Sequence, residues 1–456
     1  MPQEGRKGKL DGSCGKDMLS LATMQSMTAM NDSLNRRHFL QRTAVVGAGL
    51  AALQGFPSLR AADSPANLLR VGVMGLGRGY DHVQALLDIR DVEIACLCDV
   101  DEQRLERAVK SVAAKQPRTP KAVKDIRRVL DDRSVDALTI AAPNHWHAPA
   151  TILACAAGKH VYVEKPGSHN AHEGELMVAA ARKHQRVVQM GTQRRSWPGI
   201  IEAIGKLRAG VIGRVLYARC WYTATRGSIG RGKPVPVPSY LDYTLWQGPA
   251  PERPYVDNLV HYNWHWRWHW GGGELANNGV HALDLVRWGL GVDYPTRVTF
   301  NGGRYHFVDD QETPDTGTAV YDFGDRGASW DDSSCLARAN ENLPFVAFYG
   351  EGGSLTLDDN GYKVCDLKGK QAASGSGPGG DKVHLENFLN CIRSGQRPNA
   401  DIAEGQKSTL LCHLGNIAFR TGHTLHIDPR TGTIVGDKQA NKLWARQYRP
   451  GWEPKV

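Results

Sequence analysis

From residue 68 onward, short apolar runs alternate with longer stretches in which apolar positions recur every three or four residues. The runs 68–74, 92–98, 137–141, 160–163 and 186–190 have the length and β-branched content of buried strands. Residues 81–87, 102–114, 122–130, 148–157 and 172–184 carry the helical period. Strands taking turns with helices predict a parallel sheet covered on both faces, because a parallel neighbour is reached only by a crossover, usually a helix. Past residue 200 the pattern changes. Runs 215–222, 318–323, 345–349 and 354–357 cluster across glycine turns with no helix between them. Residues 226–239, rich in Gly, Pro and basic side chains, predict an exposed loop at a cleft or a subunit contact. Residues 372–380 predict a flexible linker before a helix at 383–394. No solenoid-type repeat is present.

A chain of 456 residues suggests two or three domains at roughly 100 to 200 residues each. The 41% hydrophobic and 23% charged content is that of a globular protein, and no apolar run reaches the roughly 18 residues of a membrane span. The formal charge of +9 divides into +4 over residues 1–62 and +5 over the rest, too dilute to argue for nucleic acid. Residues 1–62 read as a leader. Asn35-Arg36-Arg37-His38-Phe39-Leu40 resembles the twin-arginine export signal and is followed by a weakly apolar, Ala/Gly-rich stretch at 43–53. Export through the twin-arginine translocase to the periplasm is therefore expected, with Met30 as the expected start and cleavage near residue 61 or 62. The route carries folded proteins out of a reducing cytoplasm, so the nine cysteines need not pair. Cys96 and Cys98, two apart on a strand, share a core-facing side.

The first strand leads into Gly75-Leu76-Gly77-Arg78-Gly79 and then a helix. A pyrophosphate needs such a turn, whose backbone approaches without side chains and whose following helix aims N–H groups at the anion. Asp99 ends the second strand 22 residues after Gly77, close to the spacing expected of a carboxylate on the ribose hydroxyls. It would repel a 2′-phosphate, which favours NAD over NADP. Pro143-Asn144-His145-Trp146-His147 ends another strand on the ligand side; His145 and His147 lack the neighbouring carboxylates or cysteines of a metal site. His160-Val161-Tyr162-Val163-Glu164-Lys165-Pro166 reads as a buried strand that delivers Glu164 and Lys165 into the cleft. Gln193 and Arg194, just past a strand end, are candidate substrate contacts. Between His261 and Trp270, Tyr262, Trp264, Trp266, Trp268 and Trp270 alternate with polar residues. In an extended segment they would make one aromatic face, either a sugar-binding wall or packing for a long loop.

In order and spacing, Gly-x-Gly, Asp99, Pro143 to His147, Ala157-Gly158-Lys159-His160-Val161 and Glu164-Lys165-Pro166 resemble the Gfo/Idh/MocA family of sugar and polyol oxidoreductases. The likeness continues through Leu245-Trp246-Gln247-Gly248-Pro249, Tyr262-Asn263-Trp264-His265-Trp266 and Gly279-Val280-His281-Ala282-Leu283-Asp284, and looks nearest to the exported bacterial branch. It implies an α/β fold. A Rossmann domain, a doubly wound parallel sheet at 68–192, would be joined to a substrate and oligomerisation domain at 193–456 built on a large, mostly antiparallel sheet. The family's matching lysine handles the substrate proton, with an Asp and a His four residues apart on the second domain. Lys165 and His281 match. The Asp position holds Asn277, which can orient the site by hydrogen bonds but cannot act as the carboxylate. Asp284 is read as a support for the His281 ring or as a structural pair, and Trp266 as a substrate contact.

The expected activity is NAD-dependent oxidation of a CH–OH group in a sugar, sugar derivative or cyclic polyol, with the cofactor held tightly and a dimer or tetramer as the assembly. Cofactor contacts are expected from Gly75, Leu76, Gly77, Arg78, Gly79, Asp99, Pro143, Asn144, His147, Glu164 and Lys165. Catalysis is expected from Lys165, His281 and Asn277. Two alternatives stay open: a redox-neutral glycosidase working by oxidation and elimination, and a binding protein that keeps NAD as a structural element.

Overall fold

Two sheets divide the chain. The computed structural model describes residues 67–456; the twin-arginine stretch lies outside the described residues. The first sheet holds β1 (Leu69–Met74), β2 (Val92–Cys98), β3 (Lys121–Val123), β4 (Ala137–Ile140), β5 (His160–Val163) and β6 (Val188–Met190) in the order β3-β2-β1-β4-β5-β6. Every pairing is parallel. β4 is buried throughout and β1 over its last four residues, as strands covered on both faces must be. The order reverses between β1 and β4, which opens a crevice at the carboxyl ends of the strands.

The second sheet runs β14-β13-β12-β11-β7-β10-β9-β8-β15, with β7 (Val215–Thr223), β8 (Arg297–Gly303), β9 (Thr316–Asp322), β10 (Gly327–Ser333), β11 (Val346–Gly350), β12 (Gly353–Asp358), β13 (Gly361–Asp366), β14 (Gln371–Ser376) and β15 (Leu425–His426). Its pairings are antiparallel except β7 with β10. The register puts Ala218, Ala328, Tyr321 and Phe348 on one buried face. The helices Val280–Leu290 and Ile402–Thr421 close on that face, and Gly289 has no Cβ because one would stand 2.3 Å from the Phe348 ring. The opposite face presents Tyr217, Val320 and Tyr349, all exposed.

Three expectations need correction. The helix expected at 122–130 is a short strand, β3, paired with β2, followed by a helix at Ile126–Leu130. The Asp125 carboxylate accepts from Arg127 N and starts the helix there. The linker expected at 372–380 is largely β14, whose small residues make room for its neighbour: a Cβ on Gly375 would lie 2.6 Å from the Tyr362 ring. The helix expected from 148 begins at Asn144. Pro149 lies inside the helix, and the His145 carbonyl four residues before it, which proline leaves without a donor, accepts from Arg446 Nη2 at 2.7 Å.

Residues 240–270 form a strap from the second sheet to the first. Asp242 N donates to Val100 O and Glu102 N to Tyr240 O, and a separate apolar cluster of Leu241, Tyr243, Trp246, Leu259, Trp264 and Trp270 stiffens it. The aromatic run is not extended. Asn263–Trp266 is a 3-10 turn, Trp264, Trp266 and Trp270 are buried and Tyr262 is exposed. Indole bonding drives the turn, since Trp264 Nε1 donates to His261 O at 2.9 Å. The eight cysteines among the described residues are free thiols, with Cys96 and Cys98 buried.

Candidate active site

The strand ends and the strap enclose a cavity of about 610 Å³. On the first-sheet side it is lined by Gly75, Gly77, Arg78, Asp99, Pro143, Asn144, His147, Glu164 and Lys165, and on the other by Trp246, His261, Tyr262, Trp264, His265, Asn277 and His281.

Backbone builds the first side. Gly75 has φ +82°, and a Cβ there would stand 2.7 Å from the Ala141 backbone, so only glycine lets the turn pass the end of β4. Gly79 opens the helix Gly79–Leu87, and its bare Cα packs on Val73; it serves as the third glycine of the turn. No side chain caps this helix or the helix Asn144–Ala156, so two helix N-termini are left open to an anion at the end of the sheet. Asp99 accepts from Leu76 N at 2.5 Å and from Asp101 N at 2.9 Å. Burial raises its pKa despite those bonds. Each carboxylate oxygen keeps a lone pair for a ribose hydroxyl. The turn, the uncapped helices and this carboxylate fit a dinucleotide.

Side chains build the part where the two sides meet. Glu164 is buried and accepts from Arg78 Nε at 3.2 Å and Gln193 Nε2 at 3.1 Å, with His82 Nε2 at 3.1 Å. Burial pushes its carboxyl up, but the His82 bond and the charges of Arg78 and Lys165 hold it well below the usual range. Arg78 is pinned further by Asp381 at 2.5 Å and Asp81 at 2.9 Å. Lys165 Nζ donates to Asn277 O at 2.9 Å and to Asn277 Oδ1 at 3.1 Å, and burial lowers its pKa against the pull of Glu164. The ammonium keeps one further N–H. Asn277 stands in a π-helical turn, Leu275–Gly279, that runs into the helix carrying His281, and such turns mark functional positions. Burial and the Lys165 charge hold the His281 imidazole well below its ordinary pKa, so it is neutral at pH 7.

Other expected residues sit elsewhere. Asp284 is buried against Arg195, with both oxygens within 2.9 Å of Nε, and accepts from Ser408 at 2.6 Å. Trp266 lies beneath the Arg226 guanidinium at 4.9 Å. Arg194 lies over Trp197 and Phe345. None of the three lines the cavity. His147 ties strand ends together, its two ring nitrogens 2.7 Å from Ala142 O and 2.6 Å from Pro166 O. Sequence reasoning gave no site role to His265, whose pKa burial lowers to about 3, although it lies in the family-like motif Tyr262 to Trp266, nor to His261, 2.8 Å from Asp101. Among the described residues no three His, Cys, Asp or Glu side chains group as metal ligands.

Residues 69–192 match the oxidoreductase family's NAD-binding Rossmann fold and residues 220–454 its C-terminal alpha/beta domain. The chain belongs to the Gfo/Idh/MocA family of oxidoreductases. It is 30% identical over 212 residues to a glycosyl hydrolase family 109 protein of Shewanella sp. (strain ANA-3) and 28% identical over 212 residues to an alpha-N-acetylgalactosaminidase of Shewanella oneidensis. Each match takes in 42% of this chain and 46% of the relative, so the chain spans about half the length of these relatives. Among solved structures it is similar in fold to an aldose-aldose oxidoreductase from Caulobacter crescentus complexed with glycerol (TM-score 0.63, 21% identity, 79% of this chain and 100% of that one). A second is the WlbA dehydrogenase from Bordetella pertussis in complex with NADH and UDP-GlcNAcA (TM-score 0.61, 20% identity, 79% and 99%).

Proposed function

We propose that the protein is an NAD-dependent oxidoreductase acting on a CH–OH group of a sugar, sugar derivative or cyclic polyol. The observation that carries this is Lys165. It sits in the cavity between a dinucleotide turn and Asn277, with a lowered pKa that suits an amine to proton work. A bound nicotinamide supplies the hydride acceptor. In its neutral amine form, which the lowered pKa favours, Lys165 donates its two N–H groups to Asn277 and its lone pair takes the hydroxyl proton as the C–H bond breaks, while His281, neutral and in the same cavity, accepts a hydrogen bond from the substrate. The strap shields the reacting centre from water.

A second reading, a redox-neutral glycosidase, draws support from the two Shewanella relatives. There Lys165 would relay protons between oxidation at one carbon and elimination at its neighbour, with no net change in cofactor. Mass spectrometry of products from a panel of glycosides separates them. A keto-sugar is expected from the dehydrogenase, free aglycone without net NADH from the glycosidase, and neither product would leave only an NAD-containing binding protein.

The export reading makes retention of the cofactor part of the same proposal, since a folded protein leaving the cytoplasm finds no comparable pool outside. The strap, bonded to the β2 end, suits retention. Exported protein should carry near-stoichiometric NAD(H) after denaturation, and protein arriving empty, with a dissociation constant weaker than about 1 μM, would defeat the closed cycle. The exposed Tyr217, Val320 and Tyr349 on the open sheet face favour a homo-oligomer, dimer or tetramer. Light scattering of the purified chain should give at least twice the monomer mass.

A further inference from the structure

Position 277 lacks a carboxylate, yet one stands three residues earlier. Glu274 is 2% exposed and immediately precedes the π-helical turn. It accepts from Asn277 Nδ2 at 3.4 Å and also from Asn278 Nδ2. Arg226 holds its other side, Nε at 2.9 Å from Oε2 and Nη2 at 3.4 Å from Oε1, and is braced by the hydroxyls of Tyr262 at 2.7 Å and Tyr222 at 3.2 Å. The Asn277 amide therefore lies between a donor and an acceptor. Its oxygen must face the Lys165 ammonium, which only donates, and its NH₂ must face Glu274, which only accepts. A flipped amide would set NH₂ against ammonium and oxygen against carboxylate.

We propose that Glu274 is a positioning residue that stands in for the missing carboxylate, acting on Lys165 through the Asn277 amide. The inference rests on the reading of Lys165 as the proton-handling group. Facing Lys165 are Glu164 and His147 from the first sheet, Arg78 from the glycine turn, and Arg226, Glu274, His265 and His281 from the second half of the chain. Burial lowers the pKa of each histidine, and the carboxylate paired with Arg226 is Glu274. Glu164 is engaged by Arg78, His82 and Gln193, whereas Glu274 is the carboxylate bonded to the amide. Nearby Asp332 is buried and raised well above the carboxylate range, by burial and then by Glu274. Burial there favours its uncharged form.

The test reads Lys165 directly and needs no substrate. Trace acetylation of the full chain with acetic anhydride across pH, followed by peptide mass spectrometry, gives the Lys165 midpoint. E274Q should lower it by about one pH unit, since a charge favouring the ammonium is gone. N277A should lower it too, and E274Q/N277A should fall no further than the larger single change, the non-additivity of groups acting in series. An unmoved midpoint in E274Q, or additive shifts, would overturn the proposal. Should E274Q fail to fold because Arg226 is left unpaired, R226M/E274Q removes both charges, and the midpoint should still fall, by less. A rise there would overturn it. A wild-type midpoint at the ordinary lysine value of about 10.4 would instead defeat the reading of Lys165 itself.

Discussion

The two sides of the cavity are made of different material. The dinucleotide side is backbone: a glycine turn, two uncapped helix ends and the ends of β1, β2 and β4. The proton-handling side is a chain of side chains, Arg226 to Glu274 to Asn277 to Lys165, with Glu164 and Arg78 behind. A backbone site is set once the strands pair, because its donors are placed by topology. The side-chain site must be held by its own hydrogen bonds, and each charge within it is tuned by its neighbours. Substitutions on the two sides should therefore fail in different ways.

The largest effect should come from the charge at the junction. Glu164 joins the two sides, and E164Q breaks a buried pair with Arg78 and His82, a loss of about 3 kcal/mol at pH 7. The sign with pH follows from its depressed pKa. Stability from such a carboxylate is present above the unfolded value of about 4.3 and is lost as pH falls toward the folded one. Urea titrations of wild type and E164Q should differ most at neutral pH and converge below about pH 4. Equal stability of the two at pH 7 would mean that the junction is held by backbone alone.

Next comes Lys165. K165M keeps most of the stem and loses the amine, so turnover on the substrate found in the glycoside panel should drop about 100-fold, or about 2.7 kcal/mol, while calorimetry shows NAD binding near wild type. Because burial lowers the lysine pKa, the ascending limb of the wild-type rate profile should lie below the ordinary lysine value, and K165M should lack that limb. Retained turnover would reduce Lys165 to a structural residue.

On the backbone side, G75A forces a Cβ to within 2.7 Å of the Ala141 backbone at φ +82°. It should cost about 2 kcal/mol of stability and weaken cofactor binding. Turnover at saturating cofactor should change little, the reverse of K165M. Selective loss of turnover with binding intact would show that the glycine turn also positions the reacting end.

That division also decided what the sequence disclosed. The backbone side was legible because its signals are local. Gly75 to Gly79 follow one strand, Asp99 ends the next, and Glu164 and Lys165 end β5. Even there local rules erred where partners are distant. The helix expected from 148 starts at Asn144, and the His145 carbonyl that Pro149 leaves without a donor is satisfied by Arg446, 301 residues away. The side-chain half was mostly hidden. Asn277 and His281 were found by family resemblance, but their neighbours Glu274 and Arg226 carried no periodic or spacing signal, and Lys165 meets Asn277 across 112 residues. The aromatic run misled because its alternation matched a strand, whereas Asn263–Trp266 is a 3-10 turn with Trp264 Nε1 bonded back to His261 O.

Cofactor choice is the smallest effect and the finest probe of the backbone side, because here one side chain intrudes. Asp99 is the carboxylate expected to face the ribose of a bound dinucleotide, and among the described residues it accepts from two backbone N–H groups and from no protein cation. Sequence spacing alone leaves open whether Arg104 turns inward. It does, lining the cavity with Nη1 2.8 Å from where a Gly77 Cβ would lie. A guanidinium there attracts a 2′-phosphate, so the two residues pull in opposite directions. Asp99, just past the end of β2, is fixed by two hydrogen bonds, whereas Arg104 has no ion pair among the described residues. NAD should bind about tenfold tighter than NADP, a difference of about 1.4 kcal/mol. R104A should widen that gap and D99N should narrow it. Calorimetry with both cofactors on the three proteins reads this out, and equal or tighter binding of NADP by wild type would show that the arginine, not the carboxylate, sets the choice.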